Sequence, residues 1–328
     1  MTTTDTPETV DSFAASGDGR IHGLRRMLFR KPGLTTAAVY GGVGIILLLT
    51  VIGPSIGPWL ADAGCACGWG SEQIDSGHAL EGPSGTHFFG TDRSGQDVFS
   101  RVLAAPRINL VIALAATALS VVIGVPLGLL AGYIGGRALA ATATSELIMR
   151  FMDVLQSFPL FVFAVVLVAV RGQSTEIVII ALTIVNLPVF ARLARAEMLT
   201  VREQPYADAA RILGHGNFRL IFRHLAPNSV ASSVATVPMV IGFVILFTAS
   251  LSFVGAGVKP PTAELGGMIR VGANNMVTGE WWPSIFPGVA LGLMVLIFAF
   301  AAQDIAARMR AVKRAEGLMS AETSVEAG

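Results

Sequence analysis

YADAARILGHGNFRLIFRHLAPN, residues 206–228, is a polar, helix-patterned stretch set between two long apolar runs. It carries Asp208, Arg211, Arg219, Arg223 and two histidines. Tyr206, Ala209, Ala210 and Leu213 fall at i, i+3, i+4 and i+7, which gives one small apolar helix face. Asp208 and Arg211 lie three apart on the other side, where such a pair adds about 0.2–0.5 kcal/mol. Gly214 and Gly216 stop this helix as C-terminal glycines do, and Asn217 can cap a second one. Phe218, Ile221, Phe222 and Leu225 then repeat the spacing before Pro227. The stretch therefore reads as two short amphipathic helices joined by a glycine elbow.

The chain around it is built for lipid. Of its 328 residues 53% are hydrophobic and only 14% charged, with a mean hydropathy of +0.65, against about 25% charged residues in an average soluble domain. A spanning helix needs about 20 mostly apolar residues. Six stretches qualify, near 34–53, 108–134, 151–170, 176–191, 234–256 and 283–303, the fourth being short and interrupted by Asn186 and Pro188. Residues 1–33 form a polar N-terminal segment whose first 20 residues, rich in Thr, Ser and Asp, are expected to be disordered. No apolar h-region follows at once, so this is not read as a cleaved secretory signal.

Orientation follows from the basic residues. With the N-terminus inside, 17 of the 23 arginines and lysines fall on the cytoplasmic side, which sets the topology as N-in and C-in. The polar stretch at 206–228 is then cytoplasmic. Cys65 and Cys67 fall in the outer loop, where a disulfide and a free thiol pair both stand as readings. A metal site is not expected there, because two ligands without nearby histidines leave a coordination shell incomplete.

Several functions are excluded by what the chain lacks. Its three lysines, Lys31, Lys259 and Lys313, do not follow glycine, so the phosphate-cradling G-x-x-x-x-G-K-[ST] loop is missing. GPSIG at 53–57 matches the nucleophile-elbow pattern only in spelling, since it ends an apolar span rather than turning a strand into a helix. No catalytic residues are assigned. A net charge of +1 gives no reason to expect nucleic acid. Acidic relays deep in the spans are also missing: Asp153 lies one turn into the third, close to the cytoplasmic face. The energy source is expected on another polypeptide.

The helix pair has two readings, lying flat among lipid headgroups or docking a soluble partner. Its alanine-rich first face is too thin to anchor in lipid and allows a second backbone to approach closely, which favours docking. At this point the residues resemble a family. Asp208-Ala209-Ala210 followed by Gly214, with Pro227 after Ala226, resembles the EAA loop of ABC-importer permeases. Asp stands for the usual Glu and Ala226 for the usual Leu. FGTDRSGQDVFSR at 89–101, FMDVLQSFPLF at 151–161, LSFVGAGVKPPTAELGGMI at 251–269 and WWPSIFPG at 281–288 resemble the C-type permeases of dipeptide, oligopeptide and nickel importers, with Gln96 where Arg is usual.

That resemblance implies an all-α integral membrane protein of the type I ABC importer permease fold, with six transmembrane helices, in the plasma (inner, cytoplasmic) membrane. It implies a first helix and outer loop over 34–106, a core permease domain over 107–303 with the coupling loop at about 192–229, and a cytoplasmic tail over 304–328. Tyr206, Ala207, Asp208, Ala209, Ala210, Arg211, Leu213 and Gly214 are the expected ATPase-coupling residues. The implied partners are a second homologous permease subunit, two ATP-binding subunits (or one fused), an extracytoplasmic substrate-binding protein and the lipid bilayer. No cofactor is expected on this chain itself; ATP and Mg2+ would sit on the partner subunits.

Asn186, Thr248, Ser250 and Ser252 could line a translocation path, although hydroxyls and amides in spans also serve helix packing. Gly124, Gly128, Gly132 and Gly136 recur every four residues and mark a face for close helix approach. The outer segments 54–106 and 257–282 are long enough to receive a binding protein. Their Trp281–Trp282 pair reads as an interface marker. Peptide import is the leading function. Nickel import is the alternative, with Met149, Met152, Met239 and Met294 as weak support, and a stand-alone secondary carrier is the reading from a different class. A bulky β-branched residue in place of Gly214 is expected to uncouple transport from ATP hydrolysis without blocking assembly, which parallel uptake and ATPase assays would read.

Overall fold

The computed structural model describes residues 34–62, 69–135, 139–212 and 219–326. The N-terminal segment, Cys65, Cys67, Gly136, Leu213, Gly214, Gly216, Asn217 and Phe218 lie outside the described residues. In chain order the α-helices are α1 (Leu34–Asp62), α2 (Val98–Ile134), α3 (Leu139–Ser157), α4 (Leu160–Arg171), α5 (Thr175–Val201), α6 (Pro205–Ile212), α7 (Ala226–Ser229), α8 (Ala231–Val254), α9 (Leu265–Ala273) and α10 (Trp282–Glu326). Five of these, α1, α2, α5, α8 and α10, are long and apolar enough to cross a membrane. Their apolar composition all round, rather than one greasy stripe, suits helices buried in protein on one side and lipid on the other.

The third expected span is broken. Residues 151–170 read as one apolar run, yet α3 and α4 meet at an angle of 80°. Proline disfavours the helical conformation in the residue before it, so α3 stops at Ser157, ahead of Phe158, and Pro159 at φ −56° caps the start of α4. Ser157 Oγ donates to the Val154 carbonyl at 2.7 Å, occupying an acceptor at the break. The fourth span goes the other way. Its sequence reads as a short run over 176–191 interrupted by Asn186 and Pro188, but α5 runs unbroken for 27 residues to Val201. Asn186 Nδ2 donates to Leu182 O at 2.8 Å, so its amide is satisfied within the helix. The second span also starts earlier than 108. Asp97 accepts from the Ser100 amide and caps a 37-residue α2 that passes through Pro106.

Packing of α2 on α5 is the most extensive helix contact. A Cβ at Gly128 would lie 2.1 Å from the Ala191 carbonyl oxygen, and one at Gly124 would lie 2.8 Å from that of Leu187. These backbones touch directly, so the glycine ridge is a helix-packing face, as its spacing suggests. Between the two helices Ser120 Oγ donates to Thr183 O at 3.1 Å and Thr183 Oγ1 donates to Ala116 O at 3.4 Å. Each hydroxyl bonds more closely to a carbonyl one turn back in its own helix, Ser120 to Ala116 O at 2.7 Å and Thr183 to Ile179 O at 2.8 Å, and shares its donation across the seam.

At the inner end, Asp304 on α10 accepts from Thr36 Oγ1 at 2.9 Å and Tyr40 OH at 3.3 Å on α1, and from Arg308 Nε at 2.8 Å. At the outer end, residues 69–97 and 255–282 form one cap instead of two separate loops. Trp282 Nε1 donates to Thr91 O at 3.1 Å, and the Phe89 ring stacks on Phe286 at 4.1 Å. His87 Nδ1 lies 2.9 Å from Asp97 Oδ1, both side chains buried, with Trp69 stacked on the imidazole.

The cap is locked to the bundle by Glu264. Its carboxyl accepts from Asn109 Nδ2 on α2 at 2.9 Å and from the Gly266 and Gly267 amides at the start of α9. Replacing Asn109 with Ala would strand part of that buried carboxyl. It is expected to cost about 1–3 kcal/mol, which a thermal melt of the purified subunit would show as a lowered Tm.

Candidate functional site

The inner face carries the site. Helix α5 ends at Val201, and Arg202 turns its guanidinium onto the end of α2. Its Nη1 donates to Gly132 O at 2.8 Å and also to Gly135 O. A cation on the last carbonyls of a helix satisfies acceptors that have no partner within the helix and complements the helix dipole. This clamp holds the root of α6 against α2. Helix α6 starts at Pro205, whose missing N–H costs nothing at a first turn.

Within α6, Ala207 and Ala210 are buried against the chain itself. Tyr206 is half-buried, and its hydroxyl accepts from Asn228 Nδ2 at 3.2 Å. Asp208 and Ala209 face outward, and Ile212 is 86% exposed. The inward face is thus Tyr206, Ala207 and Ala210, whereas the sequence pattern grouped Tyr206 with Ala209. Eight residues hold two alanine faces, and only the tertiary contact with the returning segment chooses between them. Ile212, one helical turn after Ala209, adds a large aliphatic side chain to this outward face, which the apolar pattern of the loop does not pick out.

The returning segment also differs in detail. The expected second amphipathic helix is a π-helical turn over Leu220–Leu225, leading into α7. Pro227 sits in the first turn of α7 and does not follow a helix end. Leu220, Ile221 and Leu225 are buried, while Phe222 and Arg223 are exposed. Leu220, Ile221 and Leu225 join the same core cluster as Ala207 and Ala210. Ser232 Oγ donates to Glu197 Oε1, which ties α8 to α5 near this end. Helix α6 is therefore an exposed knob on a braced root. Nearby, Asp153 on α3 pairs with Arg192 on α5 at 3.3 Å, an exposed pair of small energetic weight.

The four path candidates separate. Asn186 and Thr248 are buried and bond the carbonyls four residues earlier in their own helices. Ser250 Oγ does the same to Leu246 O, but lies along the outward stripe of Met239, Phe243, Leu246 and Phe253 on α8. Ser252 is buried and its hydroxyl has no hydrogen bond. Met149, Met152 and Met294 pack in the core, and Met239 is exposed. Among the described residues no group of three metal-ligating side chains comes together.

In the outer cap, His78 Nδ1 lies 2.8 Å from Asp75 Oδ2. That hydrogen bond, and then the Asp75 and Glu81 charges, hold its pKa above the ordinary imidazole value. The contact is therefore full below the ordinary histidine range and is lost as pH rises through the raised value. An NMR titration of His78 is expected to show a raised midpoint, falling back in Asp75→Asn.

Residues 124–311 match the family described as binding-protein-dependent transport system inner membrane component. The glutathione transport system permease protein GsiD of Pectobacterium atrosepticum is 40% identical over 218 residues, 66% of this chain and 70% of the relative. The probable D,D-dipeptide transport system permease protein DdpC of Escherichia coli is 37% identical over 272 residues, covering 83% and 85%. The dipeptide permease DppC of Alkalihalophilus pseudofirmus is 34% identical, over 78% and 80%. Among solved structures, the inward-facing MetNI methionine ABC transporter superposes with a TM-score of 0.51 at 20% identity, over 65% of this chain and 96% of that one. That likeness supports the fold. The family match extends over more than half of the sequence and includes α6 and both spans that flank it, so the chain belongs to the binding-protein-dependent inner membrane components, the multi-pass permease subunits of ABC importers.

Proposed function

We propose that this permease imports short peptides, forming half of a path completed by a second homologous permease and driven by two ATP-binding subunits. The observation that carries this reading is α6, an outward-facing knob on a root clamped by Arg202 to α2 and braced through Asn228 to the returning segment. A rigid knob of this kind transmits a push from a soluble motor into the spans, as a lipid-lying helix would not. The names of the relatives, which concern dipeptide and glutathione transport, support peptides as the substrate class.

ATP and Mg2+ would bind the partner subunits, and this chain would contribute no catalytic group. The stripe Met239, Phe243, Leu246, Ser250 and Phe253 on α8 is the face offered to the second permease and the path. Asn186 and Thr248 would then shape the path through helix packing, with Ser250 closer to it. A binding protein would dock on the outer cap, where Val277 and Trp281 stand exposed. The test is reconstitution. Proteoliposomes holding both permeases, the ATP-binding subunits and the binding protein are expected to accumulate dipeptide only with ATP. Flux through this chain alone would contradict the reading.

A further inference from the structure

At the outer end of the bundle a cavity of about 390 Å3 opens between residues 92–101, the outer end of α8, the 257–264 segment and α9. Small-molecule sites occupy roughly 300–1,000 Å3. Two buried polar groups on its wall have unspent hydrogen-bonding capacity. Arg101 is only 7% exposed. All its hydrogen bonds leave from Nη1, to Gln96 Oε1, Ser71 O and Pro261 O, while Nε has none. No carboxylate among the described residues lies in ion-pair range of it. A buried guanidinium with unpaired N–H groups is costly unless something accepts from them, and Nη2, which also makes no hydrogen bond among the described residues, can donate to a carboxylate in the cavity.

Ser252 is the second group. Thr248 and Ser250, on the same helix, satisfy their hydroxyls on carbonyls one turn back, but Ser252 Oγ, sealed in the cavity wall against Gly257, bonds nothing among the described residues. A third group stands beside it. Arg270 on α9 forms no ion pair among the described residues, and its Nη1 lies 2.5 Å from where a Cβ on Gly255 would be, next to the Ser252 turn. Across the same cavity, Asp92 accepts the Ser94 and Gln96 amides on Oδ1, while its Oδ2 has no partner among the described residues. The cavity thus holds two arginines for a carboxylate, with an unpaired hydroxyl in its wall, and one carboxylate for an ammonium.

We propose that this cavity receives the carboxylate end of a small zwitterionic peptide at the outer mouth of the permease, an inference that rests on the peptide-importing function above. The test uses the purified permease–ATPase complex without binding protein, with saturation-transfer NMR as the readout. The probes are L-alanyl-L-alanine, its C-terminal amide and inorganic phosphate.

The free acid is expected to bind at least about tenfold more tightly than the amide, the loss typical of a hydrogen bond to a charged group. Arg270→Gln and Ser252→Ala should each weaken the acid several-fold and leave the amide unchanged. These two replace Arg101→Met as the deciding variants, because removing a buried arginine can unfold the cap. Equal binding of acid and amide, or undiminished acid binding in both variants, overturns the proposal. Phosphate displacing L-alanyl-L-alanine at concentrations comparable to the dipeptide's own Kd also overturns it, by showing a generic anion site. Binding-protein-dependent uptake by the wild-type transporter tests the broader function separately: uptake without an acid-over-amide preference removes only the role of the cavity.

Discussion

Ile212→Asp is expected to lower ATP-dependent uptake at least tenfold while the chain still inserts and reaches normal abundance. Ile212 is the most exposed large apolar side chain of α6, and its 86% exposure means that folding of this chain gains little from it. A docked ATPase would bury it next to Ala209. A carboxylate in its place would have to be desolvated without a partner, which costs several kcal/mol or prevents docking. Central apolar anchors carry much of the energy of interfaces, with losses of about 2 kcal/mol or more on truncation. The measurement is uptake together with the amount of ATPase recovered on the purified permease. Wild-type values for both would show that α6 does not dock there.

Gly128→Val acts on folding itself. Its Cβ would meet the Ala191 carbonyl oxygen at 2.1 Å, and backbone on both sides leaves no flexible atom to yield. Helices α2 and α5 must then separate along their whole contact, losing the close fit at Gly124 and the Ser120–Thr183 exchange as well. Overpacking typically costs about 1–3 kcal/mol, and this case should lie at or above the upper end. The expected result is loss of monodisperse protein in detergent, or a Tm lowered by several degrees. Gly41→Ala on α1, where a Cβ meets nothing within 4 Å, is the control and should leave both unchanged.

Much of this architecture is legible in the sequence because lipid imposes a simple rule: backbone polar groups must pair internally over about 20 apolar residues. The cytoplasmic loop is legible for a local reason too, since its small apolar residues recur at helical spacing. The departures come from proline and from long-range contacts. Pro106, Pro126, Pro188, Pro238 and Pro287 all lie inside continuous helices, whereas Pro159 sits at the break between α3 and α4. What decides each case is whether neighbouring helices hold the freed backbone, and composition does not display that. Likewise His87 and Glu264 look like loop side chains, yet their partners Asp97 and Asn109 lie 10 and 155 residues away and bury them. Ala207, rather than Ala209, faces inward because Tyr206 is held by Asn228, 22 residues on. Ser252 looked equivalent to Ser250 in sequence, but only one of them satisfies its hydroxyl on its own helix.

The coupling claim is tested most directly by disulfide cross-linking in membranes between this chain and its ATPase, the latter carrying single cysteines along its surface. Ala209→Cys, on the outward face of α6, should yield a cross-linked species whose amount changes when ATP is bound and hydrolysed. Ala207→Cys, with its side chain wholly buried in the permease, should yield none. Equal cross-linking at the two positions, or none at 209 across the whole ATPase surface, would contradict a motor that works through this helix.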